Sequence, residues 1–92
     1  MKTVLKYPIP SSALSPGGAL IEMESDAKVL TCQSQNGVPT LWVSATSGTV
    51  KARRKFRLMQ TGMADAVIDS GEYIATIQVQ GLVWHCFEER GP

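Results

Sequence analysis

Apolar and polar residues alternate with a period of two along most of this chain, and the spacing of an amphipathic helix is rare. Strict alternation is typical of β-strands, because successive side chains of a strand point to opposite faces of the sheet. The pattern predicts strands over residues 3–9, 19–24, 28–33, 38–45, 50–60, 72–79 and 82–88. Residues 11–18 are predicted as a loop, and residues 61–71 mostly as a loop with room for one helical turn.

Short turn sequences separate the predicted strands. Asn36-Gly37 is the strongest hairpin signal in the chain, since both central residues of a type I′ turn need a positive φ. Ser47-Gly48 and Gln80-Gly81 are predicted as two further tight turns. Three hairpins without a long helix favour an all-β fold, a small antiparallel β-sandwich or barrel, in which residues 50–60 form the third strand of a meander.

The composition sets limits on this picture. Ninety-two residues make a single domain, 1–92, whose core is small enough that association into a homo-oligomer is a reasonable expectation. Lys6 and two prolines interrupt the apolar N-terminal stretch, so we expect no secretory signal, no membrane partner and a cytoplasmic protein. Cys32 and Cys86 are therefore expected as free thiols with a structural role in the core.

Residues 51–58, KARRKFRL, hold five of the nine basic residues of a chain whose net charge is only +1. Alternation places four of them on one face of the strand, as a stripe about 20 Å long. These four residues are Lys51, Arg53, Lys55 and Arg57. The stripe has two interpretations, the solvated face of an amphipathic strand or a surface that binds an acidic or phosphate-bearing partner.

Arg54 breaks the alternation, because it falls on the apolar row of the same strand. A β-bulge, or a side chain that reaches the rim of the sheet, is the favoured explanation. The second is an ion pair with a carboxylate such as Glu22, Asp65 or Glu72, and the third is a cavity for an anionic ligand. An unpaired buried charge costs too much free energy to be expected.

Three ring-bearing side chains complete the candidate binding set. Trp42 is predicted on a polar strand face beside the basic stripe, where ring and charge together suit a nucleotide or a single strand. The alternative is that this face packs on a second sheet. Tyr73 and His85 are weaker candidates, and His85 forms no catalytic pair with Cys86, because neighbours on a strand point apart. The predicted binding residues are Trp42, Lys51, Arg53, Arg54, Lys55, Arg57, Tyr73 and His85.

The sequence lacks the patterns that carry catalysis. It has no glycine-rich phosphate loop, nucleophile elbow, paired catalytic carboxylates or dinucleotide fingerprint. Its single histidine and two distant cysteines do not have the spacing of a metal site. We therefore expect a binding protein and not an enzyme, with no catalytic residue, metal or cofactor.

Several stretches together resemble a family of small phage and prophage proteins known as a domain of unknown function. They are MKTVLKYPI, QNGVPTLW, RRKFRLMQTG and VWHCFEE, and the resemblance covers most of the chain. In that family a histidine commonly follows the Thr-Gly pair, whereas this chain has Met63. A family site that uses this histidine would therefore be missing here.

The resemblance implies a phage-type accessory protein that acts in the host cytoplasm. By analogy with other small phage proteins, it implies an antagonist of a bacterial defence system. Such an antagonist would bind a host protein, such as a CRISPR effector, or sequester a nucleotide signal. A nucleic-acid-binding protein, with weak contacts through the basic strand, and a virion-associated structural protein are the alternatives.

Overall fold

The computed structural model of the protein describes residues 1–90, most of which lie in strands. The seven strands are β1 (Lys2–Pro8), β2 (Ala19–Glu24), β3 (Lys28–Gln35), β4 (Val38–Thr46), β5 (Lys51–Gln60), β6 (Glu72–Val79) and β7 (Leu82–Glu89). A turn of 3-10 helix, Ser11–Leu14, follows β1, and a short helix, α1 (Ala66–Ser70), lies between β5 and β6. In this described part of the chain no helix has the length and apolar character needed to cross a membrane.

The strands form two antiparallel sheets that enclose one apolar core. Sheet A has the order β1-β4-β3, and sheet B has the order β2-β5-β7-β6. Inward-facing residues of both sheets fill the space between them, among them Leu41 and Val43 from sheet A and Phe56 and Leu58 from sheet B. The predicted all-β fold is confirmed, and its form is a sandwich.

The two cysteines lie within this core. Cys32 and Cys86 are free thiols without exposed surface, as expected. A hydrogen bond to Cys32, together with burial, raises the pKa of the Cys86 thiol. Since neither thiol has exposed surface, both are inaccessible to reagents in the folded protein.

One predicted connection is wrong, because β5 is not the third strand of a meander. After the Ser47-Gly48 turn the chain crosses to sheet B, where β5 pairs with β2 and β7. The Asn36-Gly37 and Gln80-Gly81 turns do join neighbouring strands, with positive φ at all four residues. Period-two alternation identifies a strand but not its neighbour, so it could not distinguish a hairpin from a crossing between sheets.

Two β-bulges change the side-chain faces that alternation predicts. In β3 the pairing shifts between Val29 and Thr31, and Leu30 is left 49% exposed. In β6 it shifts between Tyr73 and Ala75, which leaves Tyr73 on the outer surface. One extra residue in a strand shifts the alternation, so the residues beyond it point to the face opposite to the one that a strict period of two predicts.

Gly71, directly after α1, occupies a position with no room for a side chain. A Cβ there would lie 2.7 Å from the carbonyl oxygen of Val67 and 2.9 Å from that of Glu88. We predict that Gly71→Ala lowers the free energy of unfolding by about 1–3 kcal/mol, because backbone atoms of α1 and β7 must separate. Urea denaturation measures this loss.

Gly17→Ala is the matched control for this substitution. No atom lies within 4 Å of the Cβ that it would add. We expect a change in unfolding free energy within about 0.5 kcal/mol for this variant. Equal losses in the two variants would contradict the tight packing of α1 against β7.

Candidate functional site

The basic strand β5 lies in the middle of sheet B and is not an exposed edge. Both of its edges are therefore paired with neighbouring strands, and its charged side chains need partners wherever a face of the strand is covered. The structure separates the five basic residues of β5 into three that form ion pairs with carboxylates and two that do not. The paired residues are Lys51, Arg54 and Arg57.

Arg54 forms a two-point ion pair with Glu88 of β7. Its Nε lies 2.6 Å from Oε2 and its Nη2 lies 2.7 Å from Oε1, while Nη1 donates to the carbonyl oxygen of Ala27 at 2.6 Å. The hydrogen bonds to Glu88 raise the pKa of Arg54. Of the two favoured explanations the β-bulge is wrong, because β5 pairs with both neighbours without a shift in register. The Arg54 side chain does keep 25% of its surface exposed.

The second explanation of Arg54, an ion pair, is the one observed, but with a carboxylate that sequence reasoning did not name. The signal was present in the sequence. Glu88 shares the inward row of β7 with Trp84 and Cys86, so two apolar rows each contain one charge of opposite sign. Two such exceptions on separate strands favour an ion pair between them over a register shift in one.

Arg57 is wrong as a member of an exposed stripe, since it is only 6% exposed. Its Nη2 lies 3.0 Å from Oδ2 of Asp65, which also caps α1 by accepting from the Val67 amide at 2.9 Å. The Val67 amide and Arg57 both lower the pKa of Asp65. Arg57 is buried because α1 and the close backbone of Gly18 cover this end of β5. Its guanidinium therefore serves the fold and is not available to a partner.

Arg53 and Lys55 are the two members of the stripe without an ion pair among residues 1–90. Arg53 is exposed opposite Glu22 of β2, and Lys55 is half-buried opposite Leu20. The stripe is thus shorter than predicted and is flanked by an acidic residue.

Tyr73 and His85 come together on the outer face of sheet B. The two ring nitrogens of His85 contact the hydroxyls of Thr61 at 2.8 Å and Thr76 at 3.0 Å, and Thr76 contacts the Tyr73 hydroxyl at 2.7 Å. Hydroxyls both donate and accept, so either neutral tautomer of the ring is satisfied. Within residues 1–90 no three His, Cys, Asp or Glu side chains converge in a way that would hold a metal ion.

Trp42 and Lys51 meet in an open groove of about 660 Å³ alongside β1, which we call the β1 groove. It is lined by Val4, Leu5, Lys6, Tyr7, Glu24, Trp42 and Lys51. Trp42 lies on the outer face of sheet A, between Lys6 and Thr31 on the neighbouring strands. Sheet B covers the opposite, inner face, so the alternative that the Trp42 face packs on a second sheet is wrong.

Three polar side chains close one wall of the β1 groove. The Tyr7 hydroxyl donates to Oε1 of Glu24 at 2.5 Å, and Nζ of Lys51 lies 3.2 Å from Oε2 of the same carboxylate. The hydrogen bond from Tyr7 lowers the pKa of Glu24, whereas burial and the carboxylate raise the pKa of Tyr7. Sequence reasoning missed Lys6, Tyr7 and Glu24. A hydroxyl on the inward row of β1 was the available signal, because a buried Tyr hydroxyl needs a partner.

The whole chain, residues 1–92, matches the family model described as "Domain of unknown function (DUF7352)". The chain belongs to the DUF7352 family. The expected membership of a domain family without assigned function is thereby confirmed. No curated protein and no solved structure matches this DUF7352 chain.

Glu88→Gln tests whether Arg54 of this DUF7352 domain needs its carboxylate. The amide keeps the size of the Glu88 side chain but removes its charge, which leaves a largely covered guanidinium without a counter-ion. We expect the free energy of unfolding to fall by about 1–3 kcal/mol at neutral pH, measured by urea denaturation. The double variant Arg54→Met with Glu88→Leu should recover most of this loss, because apolar groups then replace both charges. A double variant as unstable as Glu88→Gln would contradict charge compensation as the reason.

The Tyr7–Glu24 contact predicts a limit on stability in acid. The pKa of Glu24 lies below its ordinary value of 4.5 in the folded DUF7352 domain. Its carboxylate therefore stabilises the fold above that value, and the contribution disappears as the pH falls through the folded pKa. The melting temperature of the unaltered protein should fall more steeply with acidification than that of Glu24→Gln. Glu22→Gln, on the same strand, is the control, and parallel curves for Glu24→Gln and the unaltered protein would contradict the prediction.

Proposed function

We propose that this chain is a non-enzymatic binding protein that holds an anionic partner in the β1 groove. The observation that carries the proposal is the meeting of Trp42, Lys6 and Lys51 along one open groove. A flat ring beside one cationic side chain, with a second cation lining the same groove, suits a carboxylate or phosphate attached to an apolar or planar group.

The groove is a better candidate than the basic strand that the sequence emphasises. Arg54 and Arg57 already have carboxylate partners, so these two charges attract an external anion weakly. Arg53 lies opposite Glu22, which reduces the positive potential there. Direct nucleic-acid binding is disfavoured because these carboxylates offset the basic residues of β5 and the net charge is only +1, whereas a clearer basic surface is typical of such proteins.

The cations of the groove remain able to donate to a ligand. Nζ of Lys6 donates to the uncharged amide oxygen of Gln35 at 3.0 Å, an exposed contact that a carboxylate or phosphate would replace with a stronger one. The Lys51 side chain is 51% exposed while it contacts Glu24, and its ammonium has three donors. Trp42 adds a half-exposed apolar surface beside them.

The proposed biological role is antagonism of a bacterial defence system in the host cytoplasm. Support comes from the resemblance to phage proteins and from a surface suited to occupying an acidic site on a host protein or taking up a nucleotide signal. A binding antagonist needs no catalytic group, because occupancy alone blocks its target. A homo-oligomeric state fits the same role and stays a proposal, as does the alternative of a virion-associated component.

Phage plating tests the role and the groove together. The chain is expressed in bacteria that carry a CRISPR or nucleotide-signalling defence system, and a restricted phage is plated. We expect the chain to restore plating and a Lys6→Glu, Trp42→Ala double variant to lose most of that effect, because both changes remove groove contacts to an anionic partner. Circular dichroism confirms that the variant is folded.

Lys55→Glu is the matched control, because it reverses one charge on the basic strand outside the groove. It should restore plating as well as the unaltered chain does. A Lys55→Glu variant as defective as the groove variant would assign binding to the basic strand instead. Failure of the unaltered chain against every system tested would contradict the proposed role.

A further inference from the structure

β1 is an edge strand with one unoccupied side. In sheet A it pairs with β4 alone. Among residues 1–90, its backbone has no hydrogen-bond partner on the side away from β4. Such an edge can accept a further strand, since a row of backbone donors and acceptors is already aligned there.

The hydrogen-bond pattern shows which residues of β1 face the open side. The Ile9 amide donates to the carbonyl oxygen of Pro39 at 2.8 Å, one step beyond the Pro8 and Thr40 pair. Hydrogen-bonded pairs alternate along an antiparallel ladder. The odd-numbered residues Thr3, Leu5 and Tyr7 therefore bond to β4. The amides and carbonyls of the even-numbered residues Lys2, Val4 and Lys6 point to the open side.

The side chains of β1 form two rows of different character. The odd-numbered residues lie opposite Ala45, Val43 and Leu41, which are fully buried, so this row faces the space between the sheets. The even-numbered residues are Lys2, Val4 and Lys6, all exposed, on the outer face. An added strand would place alternate residues beside these two rows, one row next to lysines and the other next to Leu5 and Tyr7.

The positive charges on β1 determine which kind of strand can pair with its open edge. Two copies of β1 paired with each other would bring four lysines into one short ladder, and like charges close together destabilise a strand pair. An acidic strand would instead place carboxylates beside Lys2 and Lys6. At the other side of the β1 groove, Lys51 balances the carboxylate of Glu24, so that side does not repel an acidic strand.

We infer that the β1 groove binds an extended segment of a partner protein, in which acidic and aliphatic residues alternate, by adding it as a fourth strand of sheet A. The inference rests on the proposed binding function and names the class of partner. The acidic residues exchange backbone hydrogen bonds with Val4 and Lys6 and lie on the lysine row. The aliphatic residues lie beside Leu5 and Tyr7.

Labelled peptides test this pairing by fluorescence anisotropy with the full chain. The probe is Glu-Val-Glu-Val-Glu-Val-Glu. One control carries an N-methyl group on the backbone amide of the second of its four glutamates, which removes a donor that faces β1 and keeps the charge. The other replaces every glutamate with lysine. We expect the probe to bind at least about tenfold more tightly than either control, a difference of about 1.4 kcal/mol.

A substitution in β1 tests the same hydrogen bond from the protein side. Val4→Pro removes an amide that points away from β4, and proline is tolerated on edge strands in that orientation. We expect it to weaken probe binding at least about tenfold, while Val4→Ala changes it less than about threefold. Amide hydrogen exchange of the unaltered protein is the independent measurement. The probe should slow exchange at Val4 and Lys6 and leave Leu5 and Tyr7, which are already paired, nearly unchanged.

The outcomes separate this inference from the function on which it rests. Equal binding of the parent and N-methylated peptides, with Lys6→Glu weakening both, would overturn strand addition and leave an anion-binding groove. Absence of probe binding would overturn the inference, while phage plating decides the function separately. If the amides of Val4 and Lys6 exchange slowly in the free protein, and more slowly at higher protein concentration, a second copy of the chain occupies the edge. That result would also overturn the inference.

Discussion

The ion pair between Arg54 and Glu88 allows a strongly basic strand to lie in the centre of a sheet. β5 has a sheet neighbour on each side, and its inner face looks into the core. A guanidinium there would face apolar side chains without compensation if Glu88 were absent. The contact joins β5 to β7, and the Ala27 carbonyl ties the same guanidinium to the segment that enters sheet A. Arg57 and Asp65 satisfy the same requirement on the outer face, where Asp65 also begins α1.

The two strands richest in exposed or charged residues therefore differ in their roles. The cations of β5 are largely matched by carboxylates of the protein itself, so they contribute to the order and the covering of sheet B. β1 has fewer charges, but its lysines have no carboxylate partner among the residues described, and half of its backbone groups face an open side. Local density of charge is thus a poor guide to a binding surface, because the partners of each charge decide what remains available.

Much of the secondary structure was accessible from the sequence, because alternation and turn chemistry are local. The bounds of β2 and β6 agree with the prediction, as do the tight turns at Asn36-Gly37 and Gln80-Gly81. The pairing of β5 was not accessible, since any antiparallel neighbour satisfies the same alternation. The two bulges were hidden for a similar reason. Of the site, Trp42 and Lys51 were identified from residue type and position, whereas Lys6, Tyr7 and Glu24 join them only through the approach of β1 to the corner of sheet B.

The pairing of β1 with β4 also has a consequence for how the chain folds. β3 and β4 are joined by a two-residue turn, so their pairing closes a very short loop. β1 and β4 are separated in the sequence by β2 and β3, so their pairing closes a much longer loop. Closing the longer loop costs more chain entropy, and pairing between distant segments is slow. β1 is therefore expected to dock after the β3–β4 hairpin has formed. During synthesis β1 is translated before β4 and cannot pair until β4 has emerged. Until then the apolar side chains of β1 are exposed to solvent.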